Sequence, residues 1–152
     1  MIGTNHFLSG AVIGLSVSQP VLALPLAFLS HFVLDMVPHF GFEGWGDNAL
    51  KRKYFVFWTV VKLDIIFLTI ALIFLAMNRE WLAIGAGVIA VSPDFSWIYR
   101  FIYKQNFGRL PIPPRNKYDS FHKRIQWYEK LPGAIPEGLV LVLLSVMIWR
   151  MI

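Results

Sequence analysis

YFVFWTVVKLDIIFLTIALIFLAM, residues 54–77, decides the fold class: Lys62 and Asp64 are its only charges. A helix that crosses a bilayer needs about 17 to 25 largely apolar residues, and this stretch meets that length without a break. Working outward, further apolar stretches lie at 6–18, 20–37, 81–103 and 135–152. The composition agrees, with 57% hydrophobic and 15% charged residues and a mean hydropathy of +0.58, far from the soluble average. The sequence therefore predicts an all-α polytopic membrane bundle of five transmembrane helices, forming one domain over residues 1–152. The opening MIGTNHF has no Lys or Arg and so lacks the basic start of a secretory signal, which makes the first stretch a retained helix. Gly10 and Gly14 in it form a small-xxx-small pair suited to close helix packing, and Gln19-Pro20 predicts a tight turn into the second span.

The charges set an orientation. Lys51, Arg52 and Lys53 lie between spans two and three, and Arg100, Lys104, Arg109, Arg115, Lys117, Lys123, Arg124 and Lys130 lie at or between the ends of four and five. With five spans these eleven share a side with the N-terminus, against Arg79 and Arg150 on the other. The positive-inside rule then places the N-terminus and both basic loops in the cytoplasm. A net charge of +5 concentrated on that face serves topology, and is also suited to anionic lipid headgroups or phosphate. No nucleic-acid-binding motif accompanies it. Cysteine is absent, which excludes disulfides and thiolate metal sites and leaves His and carboxylates as the available ligands.

Against this apolar background SHFVLDMVPHFG, residues 30–41, spaces His31, Asp35 and His39 four apart. At about 100° per residue such positions drift by only about 40° per step and share one helix face. Asp64 in span three, Asp94 in SPDF, His6 at the start of span one, His122 in the last loop and Glu137 after Pro136 fall in the same cytoplasmic half. An Asp at mid-membrane depth costs roughly 2.5 to 3.5 kcal/mol on insertion scales. A divalent metal is one sufficient source of compensation, since structural zinc sites yield roughly 10 to 16 kcal/mol in model peptides. Protonation, or pairing with Lys62 and the loop arginines, is the other.

GTNHFLSGAVIG, SHFVLDMVPHFG and the Ser92-Pro93-Asp94 step together resemble the bacterial inner-membrane metal-dependent hydrolases, a family distantly similar to zinc-dependent phospholipase C. The resemblance covers about a fifth of the chain. It implies an all-helical fold, an inner-membrane location, a zinc or other divalent transition-metal cofactor, and His6, His31, Asp35 and Asp94 as ligands. The family's Pro-Asp-x-Asp-His and His-Arg-x-x-Thr-His-Ser segments are not found, since Phe95-Ser96-Trp97 follows Asp94. His122 is added as a ligand from its depth alone, and Asp64 is the expected general base.

In YDSFHKRIQWYEKLPG, residues 118–133, Tyr118, Phe121, Ile125 and Tyr128 fall at helical spacing. This predicts an interfacial amphipathic helix ended by Leu131-Pro132-Gly133, either a cap on the bundle or a lid; an inward His122 distinguishes the two. The proline-rich GRLPIPPRNK, residues 108–117, predicts turns. The six tryptophans suit an interfacial belt. Lys62 suits snorkelling to the surface, Glu43 and Asp47 suit loop and capping positions, and His39, after Pro38, is expected at the surface. No Gly-x-Ser-x-Gly, Walker or Rossmann fingerprint is present. Two functions follow: a membrane hydrolase acting on a phosphoester of a lipid or lipid-linked substrate, with membrane lipids as partners, or a non-enzymatic membrane protein whose cluster serves proton relay, transport or helix packing.

Overall fold

Helix α1, Gly3–Ser16, is the axis of the molecule: Thr4 through Val12 and Gly14 are buried, and the helices Pro20–Asp35, Leu50–Met77, Trp81–Val91 and Ala134–Met151 all pack on it. The computed structural model describes residues 1–41, 50–95 and 117–152. Within them the chain is all-α, with α2 over Pro20–Asp35, α3 over Leu50–Met77, α4 over Trp81–Val91, α5 over Lys117–Ile125 and α6 over Ala134–Met151. Two 3-10 turns, Ser92–Asp94 and Leu131–Gly133, follow α4 and precede α6. One isolated bridge, His39 to Glu129, is the sole β-type pairing among the described residues.

Small residues explain how α1 becomes central. A Cβ on Gly14 would stand 2.6 Å from the Ala83 Cα, and one on Gly87 would stand 2.7 Å from the Phe7 ring. The backbones of α1 and α4 therefore touch, the close approach that the Gly10/Gly14 pair predicts. Phe7, Leu8, Ala11 and Val12 fill the remaining space against Leu75, Ala83 and Ile148.

Two helical stretches, Phe55–Met77 and Leu131–Met151, are long and apolar enough to cross a membrane. Ile65, Ile70 and Ile73 on α3 and Leu139, Val142, Leu143 and Trp149 on α6 face outward. Such a run of exposed large apolar side chains is consistent with association with a membrane. The other three expected spans are shorter. The 14 residues of α1 rise about 21 Å, against a hydrocarbon core of about 30 Å. The span expected at 20–37 is helical through Asp35. The one expected at 81–103 leaves α-geometry after Val91, where Pro93 enters a 3-10 turn; proline has no N–H to continue the ladder. Residues 96–103 lie outside the described residues, as do Glu43, Trp45, Asp47 and the loop residues 104–116.

At the far end of α3, the Glu80 N–H bonds the Leu75 carbonyl and the Arg79 N–H bonds the Ala76 carbonyl. This Schellman closure places Arg79 in the left-handed region at φ 62°.

Candidate metal centre

Four separate elements deliver the cluster. His6 lies in the second turn of α1, where burial on all sides leaves its ring no route to water; His31 and Asp35 project one turn apart from the last turns of α2. Asp94 closes the 3-10 turn after α4, and His122 comes from α5. The sequence-predicted ligands His6, His31, Asp35, Asp94 and His122 are thus brought to one place. His31, Asp35 and His122 offer ligand atoms within 4.8 Å of one another, as do His6, His31 and Asp94.

The Asp35 carboxylate is the hub. Its Oδ2 is 2.6 Å from His122 Nε2 and 3.3 Å from His31 Nε2, while Oδ1 is 3.2 Å from His6 Nε2 and 3.0 Å from the Met1 amine. Asp94 is farther out, with Oδ2 3.9 Å from His6 Nε2 and Oδ1 3.8 Å from His31 Nε2. The His6, His31 and Asp35 side chains are fully buried, whereas Asp94 keeps 23% exposure and His122 9%. Asp94 is therefore the most exposed side chain of the cluster.

Hydrogen bonding tests whether these residues fit a metal. His31 Nδ1 lies 2.8 Å from the Ala90 carbonyl, which only accepts, so Nδ1 carries the hydrogen and Nε2 is the nitrogen turned into the cluster. A backbone carbonyl that fixes the outer nitrogen is the usual second partner of a metal-binding histidine. Both nitrogens of His6 are buried without a well-formed hydrogen bond, although Nε2 faces Asp35. A buried imidazole left unpaired is costly unless another partner meets it. The donor set of three imidazoles and two carboxylates suits zinc and its first-row neighbours. The residues fit a divalent transition metal.

His122 does turn inward. Burial lowers its basicity, but its hydrogen bond to Asp35 and the charges of Asp35 and Asp94 outweigh this and hold its pKa above the ordinary histidine value. Phe32 packs against Tyr118, Phe121 and His122, and the Tyr118 hydroxyl donates to the Pro93 carbonyl at 3.1 Å. These contacts lock α5 over the centre. The helix is shorter than its aromatic spacing predicts, because after Ile125 the backbone turns to pair with His39: the His39 N–H donates to the Tyr128 carbonyl and the Lys130 N–H to the His39 carbonyl, each at 3.2 Å. Tyr128 is therefore outside the helix. The same pairing corrects the surface placement of His39, which is 1% exposed with Nε2 3.6 Å from Glu129 Oε1.

Asp64 sits elsewhere. Its carboxylate accepts from the Gly3 and Thr4 amides at 2.9 and 2.8 Å and from the Thr4 hydroxyl at 2.5 Å, closing the N-terminus of α1. Glu137 completes that arrangement, accepting from the Ile2 amide at 2.6 Å and from the Phe40 amide at 3.0 Å. One residue of the centre escaped the sequence reading: Gln126 Nε2 donates to Asp35 Oδ2 at 3.1 Å. The signal was its position four residues after His122, the spacing that had drawn attention to His31 and Asp35.

Comparison with protein-family models, with curated proteins and with solved structures finds no match to the chain. What the fold and the site define is an all-helical protein with two long apolar helices and a buried His/Asp cluster able to coordinate a metal ion.

Proposed function

We propose that the chain is a membrane-embedded metal-dependent hydrolase that acts on a phosphoester of a lipid or lipid-linked substrate at the cytoplasmic face. The observation that carries this is the gathering of three imidazoles and two carboxylates, with Asp94 the most exposed of the five. A catalytic metal site keeps a position for substrate, and Asp94 is the residue of the set nearest to solvent. His6, His31, His122, Asp35 and Asp94 would hold zinc or another divalent transition metal. Such an ion supplies Lewis acidity and a water nucleophile at neutral pH. Asp35 and Gln126 orient the imidazoles, and Asp94, the most accessible carboxylate of the set, is placed to accept a proton. Asp64, engaged with the Gly3 and Thr4 amides and the Thr4 hydroxyl, holds the start of α1 and is not the base. Lys130, Arg124 and the basic loop residues supply the charge that draws an anionic headgroup to this side.

A second reading, a non-enzymatic membrane protein whose cluster serves proton relay or helix packing, is favoured by a separate observation. Asp35 is already met by His122, His31, His6, Gln126 and the Met1 amine, so the cluster is largely self-neutralising. Purified protein in detergent, assayed for phosphate or phosphoalcohol release from phospholipid and phosphomonoester substrates, separates the two. Turnover that is abolished by a chelator, restored by metal and lost in Asp94→Asn supports hydrolysis. Metal-loaded, folded protein with no turnover on either substrate class favours the second reading.

A further inference from the structure

We propose that the trough between α3 and α6 is a binding site for one acyl chain of a bilayer phospholipid, separate from the metal centre. The inference rests on the reading that these two helices lie in a membrane, and names what that membrane contributes to the fold.

The trough follows from how the helices pack. Both α3 and α6 lean on α1 and scarcely on each other. A cavity of about 240 Å³ is left between them, floored by Leu8 and walled by Ile70 and Phe74 on one side and Leu141 and Trp149 on the other. At its far end the Phe74 and Trp149 rings stack with centroids 6.0 Å apart. Thr4 and Leu8 stand two residues to either side of His6, about 200° around the helix. The trough therefore lies on the face of α1 turned away from the cluster.

Its chemistry disfavours water. The two hydroxyls of the lining are already committed, Thr4 to Asp64 and Ser145 to the Leu141 carbonyl, and the other lining side chains are aliphatic or aromatic. An apolar cavity of about 150 Å³ stays dry and takes a hydrocarbon guest. Ile70 and Trp149 keep 58% and 72% exposure, so the trough is continuous with the outward apolar surface of both helices.

Size selects the occupant. Two turns of an α-helix, about 10 Å wide and 11 Å long, would fill roughly 800 Å³, several times the space present. The lining is also a small part of the roughly 800 Å² per partner that a stable dimer buries. A single hydrocarbon chain is thin enough to enter, and the trough runs about 12 Å along α6 from Leu141 to Trp149. The charged residues at the stacked end are Arg79, Glu80 and Arg150, a net positive rim suited to a phosphate, and Trp149 suits the headgroup level. The headgroup therefore sits at the Phe74/Trp149 end and the chain tip beside Leu8. Occupancy fills the space under α3 and α6 and stabilises the helix that carries His6.

The test is photolabelling of the protein in vesicles of phosphatidylethanolamine and phosphatidylglycerol that contain a trace of phosphatidylglycerol with a diazirine on its acyl chain, the adducts being mapped by mass spectrometry. A diazirine near the headgroup should mark Phe74 and Trp149, and one at the chain tip Leu8 and Phe67. Each should exceed the outward Ile65, Leu72, Leu139 and Leu143 by about 10-fold, the ratio that about 1.4 kcal/mol of preference gives. Ala71→Phe with Ser145→Leu, which fills the trough, should remove that excess at unchanged helix content; the map of the unmodified protein decides the proposal even where this variant does not fold. Equal labelling of trough and outward positions leaves only a lipid shell and overturns the site, with the membrane reading intact. Labels in the reverse order along the trough overturn the placement of the headgroup. A shielded trough, with Ser145→Cys linking two chains by a disulfide, assigns it to a second copy and overturns the proposal. Protein that does not enter the vesicles overturns the site and the membrane reading together.

Discussion

Two pairs of acids flank the first turns of α1, and their surroundings assign them opposite work. Asp64 and Glu137 face backbone amides: they accept from Ile2, Gly3, Thr4 and Phe40 and hold the start of α1 against α3 and α6. Asp35 and Asp94 face imidazole nitrogens from three helices. All four are carboxylates, and each pair joins one buried and one half-buried side chain. What separates a capping carboxylate from a ligand is whether its neighbours are obligatory donors that the backbone must satisfy or nitrogens with lone pairs to share. The comparison makes Asp64 and Glu137 determinants of stability, and Asp35 and Asp94 determinants of metal content.

Substitution breaks the comparison if it is wrong. The largest effect belongs to Asp35→Asn, which keeps volume and removes the charge that every imidazole of the centre faces. Metal affinity should fall by at least about 100-fold, the upper end of what even outer partners of a metal site provide, as read by competition with a chelator of known affinity. Next, Asp64→Asn should lower the unfolding free energy by about 2 to 3 kcal/mol, the scale of hydrogen bonds to a charged group, measured by denaturant titration in detergent, while metal stoichiometry in the folded fraction stays unchanged. Metal loss without destabilisation in Asp64→Asn would erase the distinction between the pairs. Gln126→Leu should cost about 10-fold in metal affinity, because Gln126 touches Asp35 from the side away from His6 and His31 holds its own backbone anchor.

The smallest effect is one of sign. The His122 pKa is raised in the folded protein, so in metal-free protein its pairing with Asp35 contributes fully below the unfolded value of about 6.5. That contribution is lost as pH rises through the folded value. Metal binding needs the neutral ring and runs the other way, with affinity increasing as pH rises. Thermal midpoints of metal-free and metal-loaded protein, followed from acid to mildly alkaline pH, should therefore diverge. Parallel curves would place His122 outside the centre.

Helix existence was legible from apolar length, and the convergence of the histidines from their shared depth, because a polar group in an apolar chain has few places to go. Span length was less so. Apolar composition continues past Val91, but Pro93 and the Ser92 hydroxyl, which donates to the Ile89 carbonyl, turn the backbone into a 3-10 step that brings Asp94 inward. The burial of α1 was invisible too, since composition does not say whether an apolar helix meets lipid or other helices; only Gly10 and Gly14 hinted at it. His39 and Tyr128 were misplaced for one reason: their pairing joins segments about ninety residues apart. Asp64 was legible as a buried acid, but its partners are main-chain amides, which leave no trace in side-chain pattern.

The most direct measurement is the elemental content of protein purified without a histidine tag and without added metal or chelator. Zinc or another divalent transition metal bound near-stoichiometrically or above, and removed by Asp35→Asn but not by Asp64→Asn, is the expected result. Folded protein that carries no metal and takes up none on reconstitution would contradict the metal centre and leave the cluster to proton relay or helix packing.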